Sequence, residues 1–128
     1  MTVTRFEDLE IWQLARDLYK LVFKITSEEP FYRDFKFRDQ IRDSSGSVSD
    51  NIAEGFERGG NKEFIQFLSV AKGSCGETRN QSYRAFDSGY ISQEVLDDLL
   101  RRTETLARKT ANLIKTLKTS EHKGVKYD

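Results

Sequence analysis

Asp50-Asn51-Ile52-Ala53-Glu54-Gly55-Phe56-Glu57-Arg58-Gly59-Gly60 closes one helical pattern and leads into a second. Upstream, Phe37, Ile41, Val48, Ile52 and Phe56 recur at helical spacing, the signature of one buried face. Between Ile41 and Val48 the same face carries Ser44 and Ser45, beside Gly46, Ser47 and Ser49. Such small polar residues are weak helix formers. The phase of Ile41, Val48 and Ile52 nevertheless holds across the gap, so the spacing predicts one unbroken helix from about Lys36, with Asp34 as its N-cap. Gly55 falls near its end and is read, with Gly59-Gly60, as part of the exit turn.

Asn61 is then the expected cap of a third helix with Glu63 in its first turn. Its stripe is Phe64, Phe67, Leu68, Ala71, Cys75, Thr78, Ser82 and Ala85 or Phe86, and it reaches about Ser88 before Gly89. The middle, Lys72-Gly73-Ser74-Cys75-Gly76-Glu77-Thr78, is again small. Two helices with small centres and a short turn between them read as antiparallel partners packed closely at their middles.

Two more helices flank this pair. The first pattern runs from about Glu7 to Thr26 through Leu9, Trp12, Ala15, Leu18, Tyr19, Val22, Phe23 and Ile25, and Ser27-Glu28-Glu29-Pro30 ends it. An aromatic connection, Phe31 to Phe35, is expected to fold back over the helix ends. The last pattern starts after an N-cap at Ser92 and carries Val95, Leu96, Leu99, Leu100, Leu106, Ala107, Leu113, Ile114 and Leu117. The expected architecture is all-α: an up-down-up-down antiparallel four-helix bundle over residues 1–118, with 119–128 a tail without structure.

Composition sets limits on function. The 128 residues hold 37% apolar and 33% charged side chains, lean for a core and compatible with self-association. One cysteine excludes an internal disulfide, the N-terminus lacks the apolar stretch of a signal peptide, and no run approaches membrane-spanning length. A cytoplasmic protein without membrane contact is the expectation. Net charge is zero, yet residues 1–100 hold 13 basic against 18 acidic side chains and residues 101–128 hold 8 against 3.

The chemistry-bearing residues are few. The single histidine, His122, lies in the tail, so neither a di-metal carboxylate centre nor a zinc cluster has its ligands, and no metal or cofactor is expected. Cys75 sits on the buried stripe without a histidine in the core to activate it. The glycines at 55, 59 and 60 lack the Lys-Ser/Thr of a phosphate loop. Glu54 and Glu77 stay open to two readings. Close helices would bring them near Asn51, Ser74 and one of Arg42, Arg58 or Arg79, either as an acid–base pair or as a network fixing helix register. On the last helix Arg101, Arg108 and Lys115 repeat every seven residues, with Arg102, Lys109 and Lys118 read as an adjoining row. These six residues make either an ordinary solvated face or a phosphate-contacting one.

Gln40-Ile41-Arg42 and Ser47 to Arg58, followed by Glu63 to Ser74, Glu77-Thr78 and Gly89-Tyr90-Ile91, resemble the signature of bacterial proteins encoded in 23S rRNA intervening sequences, also called the S23 ribosomal protein family. Phe6 to Ala15 resembles that family's opening helix. The resemblance implies a four-helix bundle assembled as a cyclic homo-oligomer, most commonly a pentamer, with no established catalytic activity. It also implies similarity to the accessory variability proteins of retroelements, bundles that bind RNA or DNA and a nucleic-acid-binding protein. In the family motif Asn51, Glu54, Gly55, Arg58, Ser74 and Glu77 are expected to be structural. The function expected is thus a non-catalytic oligomer that binds nucleic acid or a nucleoprotein through the last helix. The competing expectation is a protein–protein interaction module with no nucleic-acid role.

Overall fold

The first helix needs a buried edge and obtains it from Ile11, Ala15, Leu18, Val22 and Ile25, which form one side of α1, Glu10–Thr26. In the computed structural model, which describes residues 3–119, α1 is followed by α2, Phe35–Glu57, α3, Asn61–Asp87, and α4, Gln93–Thr119. Each helix packs on its sequence neighbours and α4 closes back onto α1, so the four form a square with α2 and α4 on one diagonal. No strand occurs among the described residues.

The long second helix is continuous through its serine-rich centre. Ser44, Ser45 and Ser49 survive there because their hydroxyls bond the carbonyls of Ile41, Ile41 and Gly46, so no polar group is stranded. Asp34 caps the helix through Oδ1, which accepts from the Phe37 amide at 3.3 Å. Its Oδ2 accepts from the Tyr90 hydroxyl at 2.8 Å, holding the α3–α4 connection against the start of α2. That carboxylate beside it raises the Tyr90 pKa. Of the aromatic connection only Phe31 folds inward, fully buried and stacked on Phe37 and Tyr90, while Tyr32 and Phe35 are exposed.

Four boundary readings change. Residues 6–8 form a separate 3-10 turn, and α1 begins only at Glu10. Asn61 is the first residue of α3 and Gly60 its cap; a Cβ on Gly60 would run into the Glu63 carboxylate. Asn61 is instead buried, with Nδ2 donating to the Leu117 carbonyl at 3.5 Å. Gly55 is not part of the exit turn, which belongs to Gly59 at φ +87. It lies at the α2–α3 crossing, where a Cβ would stand 2.5 Å from Phe67 Cβ. Of the tail, Thr119 is the final residue of α4, and 120–128 lie outside the described residues.

The two kinds of glycine make a test. Gly55→Ala overpacks the crossing and should destabilise by about 1–3 kcal/mol. Gly73→Ala meets no atom within 4 Å and should stabilise by about 0.5–1 kcal/mol, because alanine is the better helix former. Urea denaturation of the two variants checks both signs.

Candidate functional site

Small side chains at the centres of α2 and α3 let the two backbones approach, and the polar atoms brought together must then satisfy one another. Ser44 Oγ donates to Gln81 Oε1 at 2.5 Å and shares a hydrogen with Thr78 Oγ1 at 2.8 Å, while Thr78 also reaches the Ser74 carbonyl. One turn along, Ser74 Oγ donates to Ser47 Oγ at 3.2 Å, and Asn51 Nδ2 donates to the Ser47 carbonyl and hydroxyl. Ser44, Thr78 and Gln81 are buried. Their open side is a polar cleft of about 440 Å³ that Gln40, Asp43, Glu77 and Arg84 complete.

Asn51 and Ser74 therefore do come together, through Ser47. Glu54 and Glu77 do not. Glu54 is exposed and pairs with Arg58 at 2.9 Å in the last turns of α2, with the Arg58 guanidinium over the Phe67 ring. Glu77 lies level with Ser44 and Ser47, roughly 10–15 Å further back at about 1.5 Å per residue. Arg42 reaches the other way, to the Thr26 and Ser27 hydroxyls of α1, and Arg79 pairs with Glu104 of α4. A paired-carboxylate acid and base has no geometry here.

Cys75 Sγ is buried and donates to the Thr103 carbonyl at 3.3 Å. Burial pushes its thiol up to about 11, so it is protonated at neutral pH and a poor nucleophile. Among the described residues no group of three or more His, Cys, Asp and Glu side chains is placed to hold a metal ion. No helix among them is long and apolar enough to cross a membrane.

The cations of α4 divide by what surrounds them. Arg101 and Arg102 both pair with Asp98, and Lys109 pairs with Glu10 of α1 at 3.0 Å. Arg108, Lys115 and Lys118 have no ion pair among the described residues. Arg101, Arg108 and Lys115 are exposed on the line opposite the buried Leu99, Leu106 and Thr110. Of the adjoining row only Arg102 and Lys109, seven residues apart, share a side of α4. Lys109 lies on the α1 flank with Leu9 and Ile11, whereas Lys118 lies on the α3 flank with Ser69, Lys72 and Gly73. At 100° per residue, nine positions carry Lys118 round to the other side of the helix.

The sequence alone did not single out Ser44, Ser47 or Gln81 as a network. Its one signal was a polar break in two apolar stripes that a short turn makes antiparallel.

Residues 7–112 match the family model described as 23S rRNA-intervening sequence protein. A crystal structure of a protein of unknown function from the S23 ribosomal protein family of Bacteroides thetaiotaomicron is similar in fold. Its TM-score is 0.75 at 19% identity, covering 82% of this chain and 98% of that one. No curated protein matches the chain.

Removing the Ser44 hydroxyl leaves buried acceptors on Gln81 and Thr78, so Ser44→Ala should cost about 1–3 kcal/mol in urea denaturation. The half-buried Ser47→Ala should cost less. Cys75 should resist an aromatic disulfide reagent at pH 8 in the folded protein and react at once when urea unfolds it.

Proposed function

The chain belongs to the 23S rRNA-intervening sequence protein family, and on that footing we propose that it is a non-catalytic, self-associating helical scaffold that binds an anionic surface through α4. The observation that carries this is the line of Arg101, Arg108 and Lys115, exposed along the face opposite the buried one. The groups with chemical potential support a non-catalytic reading: the seam hydroxyls satisfy each other, Cys75 is a buried thiol, and Glu54 is held by Arg58.

Two anionic surfaces fit such a line, a nucleic acid or an acidic protein face. The balance of charge favours protein. Three of the six α4 cations are already paired, Arg101 and Arg102 sharing the one carboxylate of Asp98 and Lys109 taking Glu10, and the whole chain is neutral. Only Arg108, Lys115 and Lys118 remain to displace counterions from phosphates, which limits the salt dependence to a slope of about −3. The nucleic-acid or nucleoprotein reading draws its support from those same three residues. Assembly as a ring, the pentamer of the family resemblance, would multiply them.

Fluorescence anisotropy with labelled RNA and DNA decides between the two. The protein-surface reading expects binding that is weak at 50 mM salt and lost by 200 mM, roughly the ten- to hundred-fold fall that three contacts supply. Tight binding that persists at 200 mM salt and disappears in R101Q/R108Q/K115Q would overturn it in favour of nucleic acid.

A further inference from the structure

We propose that the cleft between α2 and α3, over the contact of Ser44 with Gln81, is a binding site for a basic α-amino acid. The site is separate from the α4 face and does not depend on what that face binds.

Gln81 is the residue that asks for a ligand. It is only 4% exposed, and its Oε1 is turned to Ser44, whose hydroxyl donates to it at 2.5 Å. The other end of the amide, Nε2, has no acceptor among the described residues. It is not sealed in, because the enclosed side-chain atom without a partner among those residues is Asn61 Oδ1. Gln81 lines the cleft, so the Nε2 hydrogens are presented there. Their acceptor must come from outside the chain, since a donor left without one costs stability.

Charge around this amide is uncompensated in both senses. Asp43 lines the cleft from α2 and Glu77 from α3, and neither has an ion pair among the described residues. Arg84 has none either; its guanidinium lies over the Phe37 ring, 4.4 Å from the centroid. The seam sets the levels of these groups. Ser44 meets Thr78 and Gln81, and Ser47 meets Ser74. Asp43 therefore stands across the seam from Glu77 and Gln81. Gln40 and Arg84 close the cleft about one turn, roughly 5 Å, further on. Carboxylates occupy its middle, and the donors of Gln81 and Arg84 its end.

This lining selects the ligand. A metal ion is not what the two carboxylates serve, since no group of three or more His, Cys, Asp and Glu is placed to hold one among the described residues. Two negative groups and one positive group match a ligand with two cations and one anion. An amide donor beside a guanidinium matches a carboxylate. Lysine and arginine as free molecules carry that set. The ligand carboxylate accepts from Gln81 Nε2 and Arg84, the α-ammonium donates to Asp43, and the side-chain cation reaches Glu77. The cleft, about 440 Å³, has the size of a small-ligand site. Each charged contact in so open a cleft is weak, so affinity comes from the combination and lies at a Kd of about 1 mM.

Amide NMR of the isotopically labelled full chain, titrated with L-lysine and separately with L-arginine, tests this. The Gln81 side-chain amide signals should shift and saturate with a Kd of about 1 mM. Cadaverine and agmatine, the same molecules without the carboxylate, and 6-aminohexanoate, without the α-ammonium, should bind about tenfold more weakly. E77Q and R84Q, both at exposed positions, should each weaken the amino acid about tenfold, with circular dichroism showing the fold unchanged. A Gln81 amide that neither amino acid moves by about 20 mM overturns the inference. Equal binding of a truncated analogue overturns it too, as does binding that neither variant weakens.

Discussion

Close approach of α2 to α3 is the constraint on which the rest of this structure depends. At one end of the contact Gly55 leaves room for Phe67 and Phe64, and at its centre serines and a threonine stand where larger side chains would hold the helices apart. Backbones that come so near exclude water, so every hydroxyl drawn in needs a partner from the opposite helix or from its own preceding turn. Ser44 has both, through Gln81, Thr78 and the Ile41 carbonyl. A network of this kind adds specificity to an apolar core, because only one axial setting of the two helices satisfies all its members.

That arrangement has a consequence for function. Of the polar residues that look most like a site from the sequence, Asn51 and Ser74 are consumed in the α2–α3 seam through Ser47, and Glu54 is held within α2 by Arg58. Among the charged residues left without an ion pair, Asp43, Asp50 and Glu57 lie on the outer face of α2, and Arg108 and Lys115 on that of α4. Because the seam and the α3–α4 contacts fix the heights of all four helices, they also fix the levels of these outer charges.

Much of this could be read from the sequence, for identifiable reasons. Helix existence followed from apolar phase, and even the serine-rich centre of α2 was legible because Ile41, Val48 and Ile52 stay in step across it. Asp34 and Ser92 were readable as caps because short acceptors before an apolar run have one common use, and both side chains accept from amides three residues on. Gly55 and Asn61 were misread because each has two common roles. Glycine serves turns and close crossings alike, and asparagine caps helices or hydrogen-bonds across them; only the neighbour decides. The error over Lys118 came from treating sequence proximity as facial proximity. Whether Glu54 and Glu77 meet depended on helix offset, which no single-chain pattern specifies, although the i,i+4 spacing of Glu54 and Arg58 was there to be read.

Residue-resolved native-state hydrogen exchange tests the primacy of the α2–α3 seam most directly. If the seam organises the bundle, the slowest amides lie between Ser44 and Ile52 and between Ala71 and Gln81, exchanging only on global unfolding, while those of α1 and α4 open earlier. If the amides of α1 or α4 outlast them, the bundle is organised elsewhere and the account is wrong.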